Sequence, residues 1–160
     1  MKVLDASGHS DDHRRAMRNV RELLEQKGTA IFSVRPEVTV FATLQLMAEK
    51  EIGAVLVLEA DRLVGMFSER DYARQVILKG KASKDTPVRD VMTARVTYIR
   101  PEQTVEDCMA LMTDKHVRHL PVLDQGKVIG LVSIGDIVKA VISEKQFIIE
   151  QLENYISSGG

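Results

Sequence analysis

The sequence predicts an α/β chain of the α+β kind, two β-α-β-β-α units packed with pseudo-twofold symmetry. Three observations predict it: an internal repeat, a matched order of elements in its two copies, and a composition that suits a small globular core. Residue n set against residue n+65, from Ile31/Val96 to Ile77/Ile142, aligns 47 pairs without a gap. Fifteen of those pairs are identical, where average composition would give about three by chance. The shared positions include Arg35, Pro36, Glu37, Thr39, Val40, Gly65, Ser68 and Asp71, each with its partner 65 residues later. The lead-in Val20-Arg-Glu-Leu-Leu24 also resembles Val88-Arg-Asp-Val-Met92.

Each copy yields the same elements in the same order. A short β-rich run ends at Val34 or Ile99 and is stopped by Pro36 or Pro101. Thr39 and Thr104 suit helix N-caps, and Asp107 adds a capping box in the second copy. Val40, Leu44 and Met47, like Val105, Met109 and Met112, then recur at helical spacing. Ala54–Leu58 with Leu63–Phe67, and Leu120–Leu123 with Val128–Val132, read as hairpins. Helical periodicity returns at Asp71–Leu78 and Asp136–Ser143, and Asp11–Gln26 also reads as a helix. The expected organisation is an N-terminal extension at 1–17, a first copy at 18–80, a polar linker at 81–87, a second copy at 88–145 and a C-terminal helix and tail at 146–160. In that last segment Phe147, Ile148, Leu152, Tyr155 and Ile156 trace an apolar stripe, suited to capping the core or to a dimer interface.

Composition removes several function classes. The chain has 160 residues, 44% hydrophobic and 28% charged, as a globular domain does. Lys and Arg total 22 against 23 Asp and Glu, which argues against a nucleic-acid partner. No apolar run is long enough to span a membrane, and Glu144, Glu150 and Glu153 argue against a membrane-surface helix. The single cysteine, Cys108, allows no internal disulfide, and residues such as Asp5, His9, Asp11, Asp12 and Arg14 are too polar for a signal peptide, so a cytoplasmic location is expected. Neither Gly-x-Ser-x-Gly, a P-loop nor Gly-x-Gly-x-x-Gly occurs, and no catalytic residue is assigned.

The chemical candidates are Gly65-Met-Phe-Ser-Glu-Arg-Asp71 and Gly130-Leu-Val-Ser-Ile-Gly-Asp136, each where a strand hands over to a helix. Glycine permits close backbone approach, helix-start N–H groups favour an anion, and serine adds a hydroxyl. The aspartate can accept hydrogen bonds from the vicinal hydroxyls of a ribose. Ser-x-x-Asp at a helix start is equally an ordinary capping box that needs no ligand.

The repeat, the hairpins and the paired Gly-h-h-Ser-x-x-Asp segments resemble a tandem pair of cystathionine-β-synthase (CBS) domains, or Bateman module, over residues 18–145. Val88-Arg-Asp-Val-Met-Thr93 and Arg118-His-Leu-Pro-Val122 strengthen the likeness, and Ser68–Arg74 and Gln151–Ile156 resemble stand-alone bacterial CBS-pair proteins. The resemblance implies a regulatory sensor of adenosine compounds (AMP, ADP, ATP or NAD, with S-adenosylmethionine ranked behind them) in signal transduction. It implies Asp71 and Asp136 on ribose hydroxyls with Ser68 and Ser133 nearby, and Thr39 and Thr104 on the sugar side of two clefts. Backbone at Ile31 and Val96 would meet the adenine edge between Met66, Leu131 and Met109. Arg70, Arg118 and His119 would face phosphate, while Gly135 stands where the first copy has Arg70. It implies a homodimer across the helices after each aspartate, and an unidentified protein target. The alternative is a ligand-independent dimerisation or interaction module whose motifs are caps only. His116 and His119 lack a third metal ligand in the sequence, and no metal site is assigned. Cys108, without a candidate base, reads as packing rather than as a nucleophile.

Overall fold

The computed structural model describes residues 18–158. Helix α1 (Val20–Lys27) is capped by Asn19, whose side chain accepts from the Glu22 amide at 2.9 Å. It buries Val20, Leu23 and Leu24. The predicted helix at 11–26 therefore ends one residue later than expected, and its positions 11–17 lie outside the described residues. Strand β1 (Ser33–Val34) runs parallel to β2 (Ala54–Glu59), and β2 pairs antiparallel with β3 (Arg62–Ser68), giving a three-stranded sheet. The register shifts between Val57 and Leu58, so that Gly65 faces Val57 and Leu63 faces Leu58.

Helix α2 (Val40–Lys50) begins at Thr39, whose hydroxyl accepts from the Ala42 amide at 3.1 Å. Its counterpart α4 (Val105–Lys115) begins with a complete Thr104–Asp107 capping box. Both helices stop in left-handed backbone, at Glu51 (φ 54°) and His116 (φ 53°). Strands β4 (His119–Asp124) and β5 (Lys127–Ser133) form a two-stranded sheet. The expected opening strand of the second copy, ending at Ile99, is reduced to a single bridge residue at Ile99. In the first copy the Leu56 amide donates to Phe32 O at 3.1 Å. Its aligned residue is Pro121, which has no N–H to donate.

The closing helices also diverge. After β3, one α-helical turn, α3 (Glu69–Asp71), passes into a π-helical stretch, Tyr72–Ile77, that closes near Gly80 (φ 66°). The Leu78 amide reaches Ala73 O and the Lys81 amide reaches Val76 O, five-residue spacings that define that geometry. Lys145 aligns with Gly80, and the second copy continues as one helix, α5 (Ile134–Ser158). The segment expected as a separate C-terminal helix is the end of α5.

Two compact units emerge, and they cut across the sequence repeats. Among the described residues, one comprises 18–28, 99–120 and 132–158, and the other 29–98 with 121–131. In the first, α1 belongs with the second copy: the Val20 amide donates to Gln103 O at 2.8 Å and the Arg21 amide to Pro101 O at 3.0 Å. In the other unit the short 3-10 helix Val88–Asp90 serves the first copy, with Val88 N bonded to Val38 O at 2.8 Å and Arg89 N to Pro36 O at 3.1 Å. Each lead-in thus docks beside the opposite repeat's Pro-x-x-Thr segment. The second unit's core gathers Val40, Met47, Val55, Val57, Phe67, Val76, Val88 and Val91. Thr43, wholly buried beside it, satisfies its hydroxyl on Thr39 O at 2.9 Å.

Candidate functional site

Both Ser-x-x-Asp segments form capping boxes. Ser68 N and Oγ each donate to Asp71 Oδ2 at 3.0 Å, and the Asp71 amide returns a bond to Ser68 Oγ at 3.2 Å. Ser133 N and Oγ donate to Asp136 Oδ2 at 2.8 and 2.9 Å, with the same return bond at 3.2 Å. The glycine-bounded strand end causes this geometry locally: β3 and β5 finish at the serine, and the helix amides that follow need acceptors. Two matching bonds fix the handover, Glu69 N to Gly53 O at 3.1 Å and Ile134 N to Arg118 O at 2.9 Å.

What differs is the support that each carboxylate receives from the opposite lead-in. In one unit the Thr93 hydroxyl donates to Asp71 Oδ1 at 3.0 Å. In the other, the Lys27 ammonium binds Asp136 Oδ2. All donors to Asp136 therefore meet on one oxygen, and Oδ1 holds no hydrogen bond among the described residues. Burial raises the Asp136 carboxyl pKa, but Lys27 and the Ser133 amide and hydroxyl outweigh it and hold the group below its ordinary value. Sequence reasoning gave neither Lys27 nor Thr93 a role at the site, because their partners stand 109 and 22 residues away.

Thr93 also joins Asp71 to an apolar patch. Its backbone pairs with Met66, amide to carbonyl in both directions at 2.9 Å. Met66, Ala54 and Leu56 are buried there, and the partly buried Ile31, Val96 and Leu131 pack against them. Four residues expected around an adenine thus meet in a single cluster, two positions along β3 from Ser68. Met109 belongs to the other unit, where it lies exposed on α4. Thr39 and Thr104 spend their hydroxyls on helix caps as acceptors. Arg70 and Arg118 are exposed and His119 is half-buried at the start of β4.

Gly65 has a different use from the close ligand approach expected of it. A Cβ added there would lie 2.3 Å from the Met92 sulfur, so the glycine makes room for the lead-in's methionine. A hollow of about 370 Å³ in this unit is lined by Leu44, Met47, Ala48, Glu51, Ile52, Gly53 and Glu69, and Asp71 is not among its walls.

The CBS domain model matches residues 20–77 and again 88–143. The chain belongs to the CBS-domain family. It is 40% identical over 126 residues to the mitochondrial CBS domain-containing protein CBSX3 of Arabidopsis thaliana, spanning 76% of this chain and 61% of that protein. The crystal structure of the CBS domain NE2398 superimposes with a TM-score of 0.76 at 50% identity, covering 79% of this chain and 98% of that one. A hexameric CBS-CP12 protein from bloom-forming cyanobacteria shares 25% identity at a TM-score of 0.67 over 76% of this chain and 71% of its own. The tandem CBS pair and the α+β class agree with the sequence expectation. CBS pairs are generally regulatory, ligand-binding modules rather than catalysts. Among the described residues, no helix is long and apolar enough to cross a membrane.

Proposed function

We propose that this CBS pair is a non-catalytic regulatory sensor of an adenosine nucleotide, AMP, ADP, ATP or NAD, with S-adenosylmethionine ranked behind them. The observation that carries the reading is the Thr93 junction, which ties the Asp71 carboxylate to the aliphatic patch of Met66, Ile31, Val96 and Leu131. A purine needs an apolar surface and its ribose needs a charged acceptor a short step away, and this junction supplies both. Asp136 with Ser133 is the corresponding ribose acceptor in the second copy, and its unoccupied Oδ1 suits one sugar hydroxyl. Arg70, Arg118 and His119 are the side chains assigned to phosphate. The sensor acts as a homodimer on a protein target in the cytoplasm.

Calorimetry with AMP, ATP, NAD and S-adenosylmethionine tests this directly. Each charge-assisted bond contributes roughly 1.5–3 kcal/mol, so Asp71→Ala or Asp136→Ala should weaken binding at its site about tenfold or more. The finished capping boxes favour a second reading, a ligand-independent interaction module. That reading gains if both alanine variants lose thermal stability while no nucleotide binds the parent chain.

A further inference from the structure

The two candidate ribose acceptors are held by donors of different charge. Asp71 receives a neutral hydroxyl from Thr93, whereas Asp136 receives the ammonium of Lys27. Lys27 is delivered by the last turn of α1, a favourable place for a cation, and α1 is itself anchored on the second copy by backbone bonds from Val20 and Arg21. The ion pair is sheltered: the Lys27 and Asp136 side chains are 30% and 19% exposed.

We propose that Lys27 is a specificity latch on the Asp136 site, occupying the carboxylate when no ligand is present and turning to the ligand's phosphate when a ribose takes its place. The inference rests on the nucleotide reading above. A vicinal diol bonds both carboxylate oxygens: one hydroxyl takes Oδ1, and the other competes with the ammonium for Oδ2. A nucleoside offers the displaced cation nothing in return, while a nucleotide carries an anionic phosphate next to the sugar. The Asp136 site therefore selects phosphorylated over unphosphorylated ligand, and the Asp71 site, whose donor is uncharged, does not select through this contact.

The test uses the full chain carrying Asp71→Ala, which leaves the Asp136 site, and compares adenosine with AMP by calorimetry in low salt. With Lys27 present AMP should bind more tightly than adenosine. Adding Lys27→Met should strengthen adenosine and weaken AMP, shrinking the ratio about fivefold, or about 1 kcal/mol. Lys27→Arg should keep the preference. A ratio unmoved by Lys27→Met, with binding intact, would overturn the latch and leave the nucleotide reading standing. Binding of neither compound by the Asp71→Ala chain or by the parent would overturn both. A ligand-free readout accompanies these: carbon-13 NMR should show the Asp136 carboxyl titrating at higher pH in Lys27→Met, and an unchanged titration would also sink the latch.

Discussion

A single proton decides how much the Asp136 cluster contributes to stability. In the folded chain this carboxyl sits below its ordinary value, because Lys27 and Ser133 favour the charged form more than burial opposes it. A group whose pKa falls on folding stabilises above its unfolded pKa and loses that contribution as pH drops through the folded one. Urea midpoints measured from about pH 6 down to about pH 2 should therefore decline in the parent protein. The decline should flatten in Asp136→Asn, since an amide has no proton to gain; an equally steep curve would count against the ion pair. Cys108 behaves oppositely. It is fully buried, and burial together with the neighbouring Asp107 pushes its thiol up to about 12 against a partial backbone offset. The thiolate is the reactive form, so a thiol reagent at about pH 8 should label Cys108 only as fast as the protein opens. Rapid labelling of the native protein would contradict the packed position.

At the level of elements, the short-range rules were legible and the long-range exchanges were not. Thr39, Thr104 and the two Ser-x-x-Asp segments cap helices as their spacing indicates, because the bonds lie within three residues. Both hairpins follow for the same reason. The docking of each lead-in beside the opposite repeat depends on contacts such as Val20 with Gln103, which no local pattern encodes. The sequence did contain the cause of the second copy's strand shrinking to a bridge, a proline in place of Leu56, and of the longer closing helix, a lysine in place of Gly80. Gly65 shows the consequence of the exchange. Gly65→Ala would press a methyl group into the Met92 side chain and should cost about 1–3 kcal/mol, read as a lowered urea midpoint. Adding Met92→Ala should recover part of that loss, and strictly additive costs would show that the two residues do not share the space. Gly135 is a useful contrast. An added Cβ there meets only Ser133 Oγ, at 3.6 Å, so Gly135→Ala should be neutral or stabilising by up to about 1 kcal/mol.

At the scale of the whole molecule, an exposed apolar surface runs along α5 among the described residues. Ile142, Ile149, Leu152 and Ile156 recur at three-, four- and seven-residue spacings on one side of this helix, and each is about half exposed or more. Scattered exposed apolar residues need no explanation, but a continuous stripe on a 25-residue helix does. The inner side of the same helix is already used, through Ile137 and Ala140, while the outer stripe stays exposed among the described residues. The homodimer proposed above would bury this stripe. Full burial of an Ile or Leu contributes roughly 1.5–3 kcal/mol, and a carboxylate in its place adds a desolvation cost. Ile149→Glu or Leu152→Glu should therefore weaken self-association by a factor of ten or more in sedimentation equilibrium. Because both side chains are half exposed in the single chain, circular dichroism and the thermal midpoint at low concentration should change little. A variant that unfolds without dissociating would place these residues in the core, and one that keeps the parent's assembly state would move the dimer contact off the end of α5.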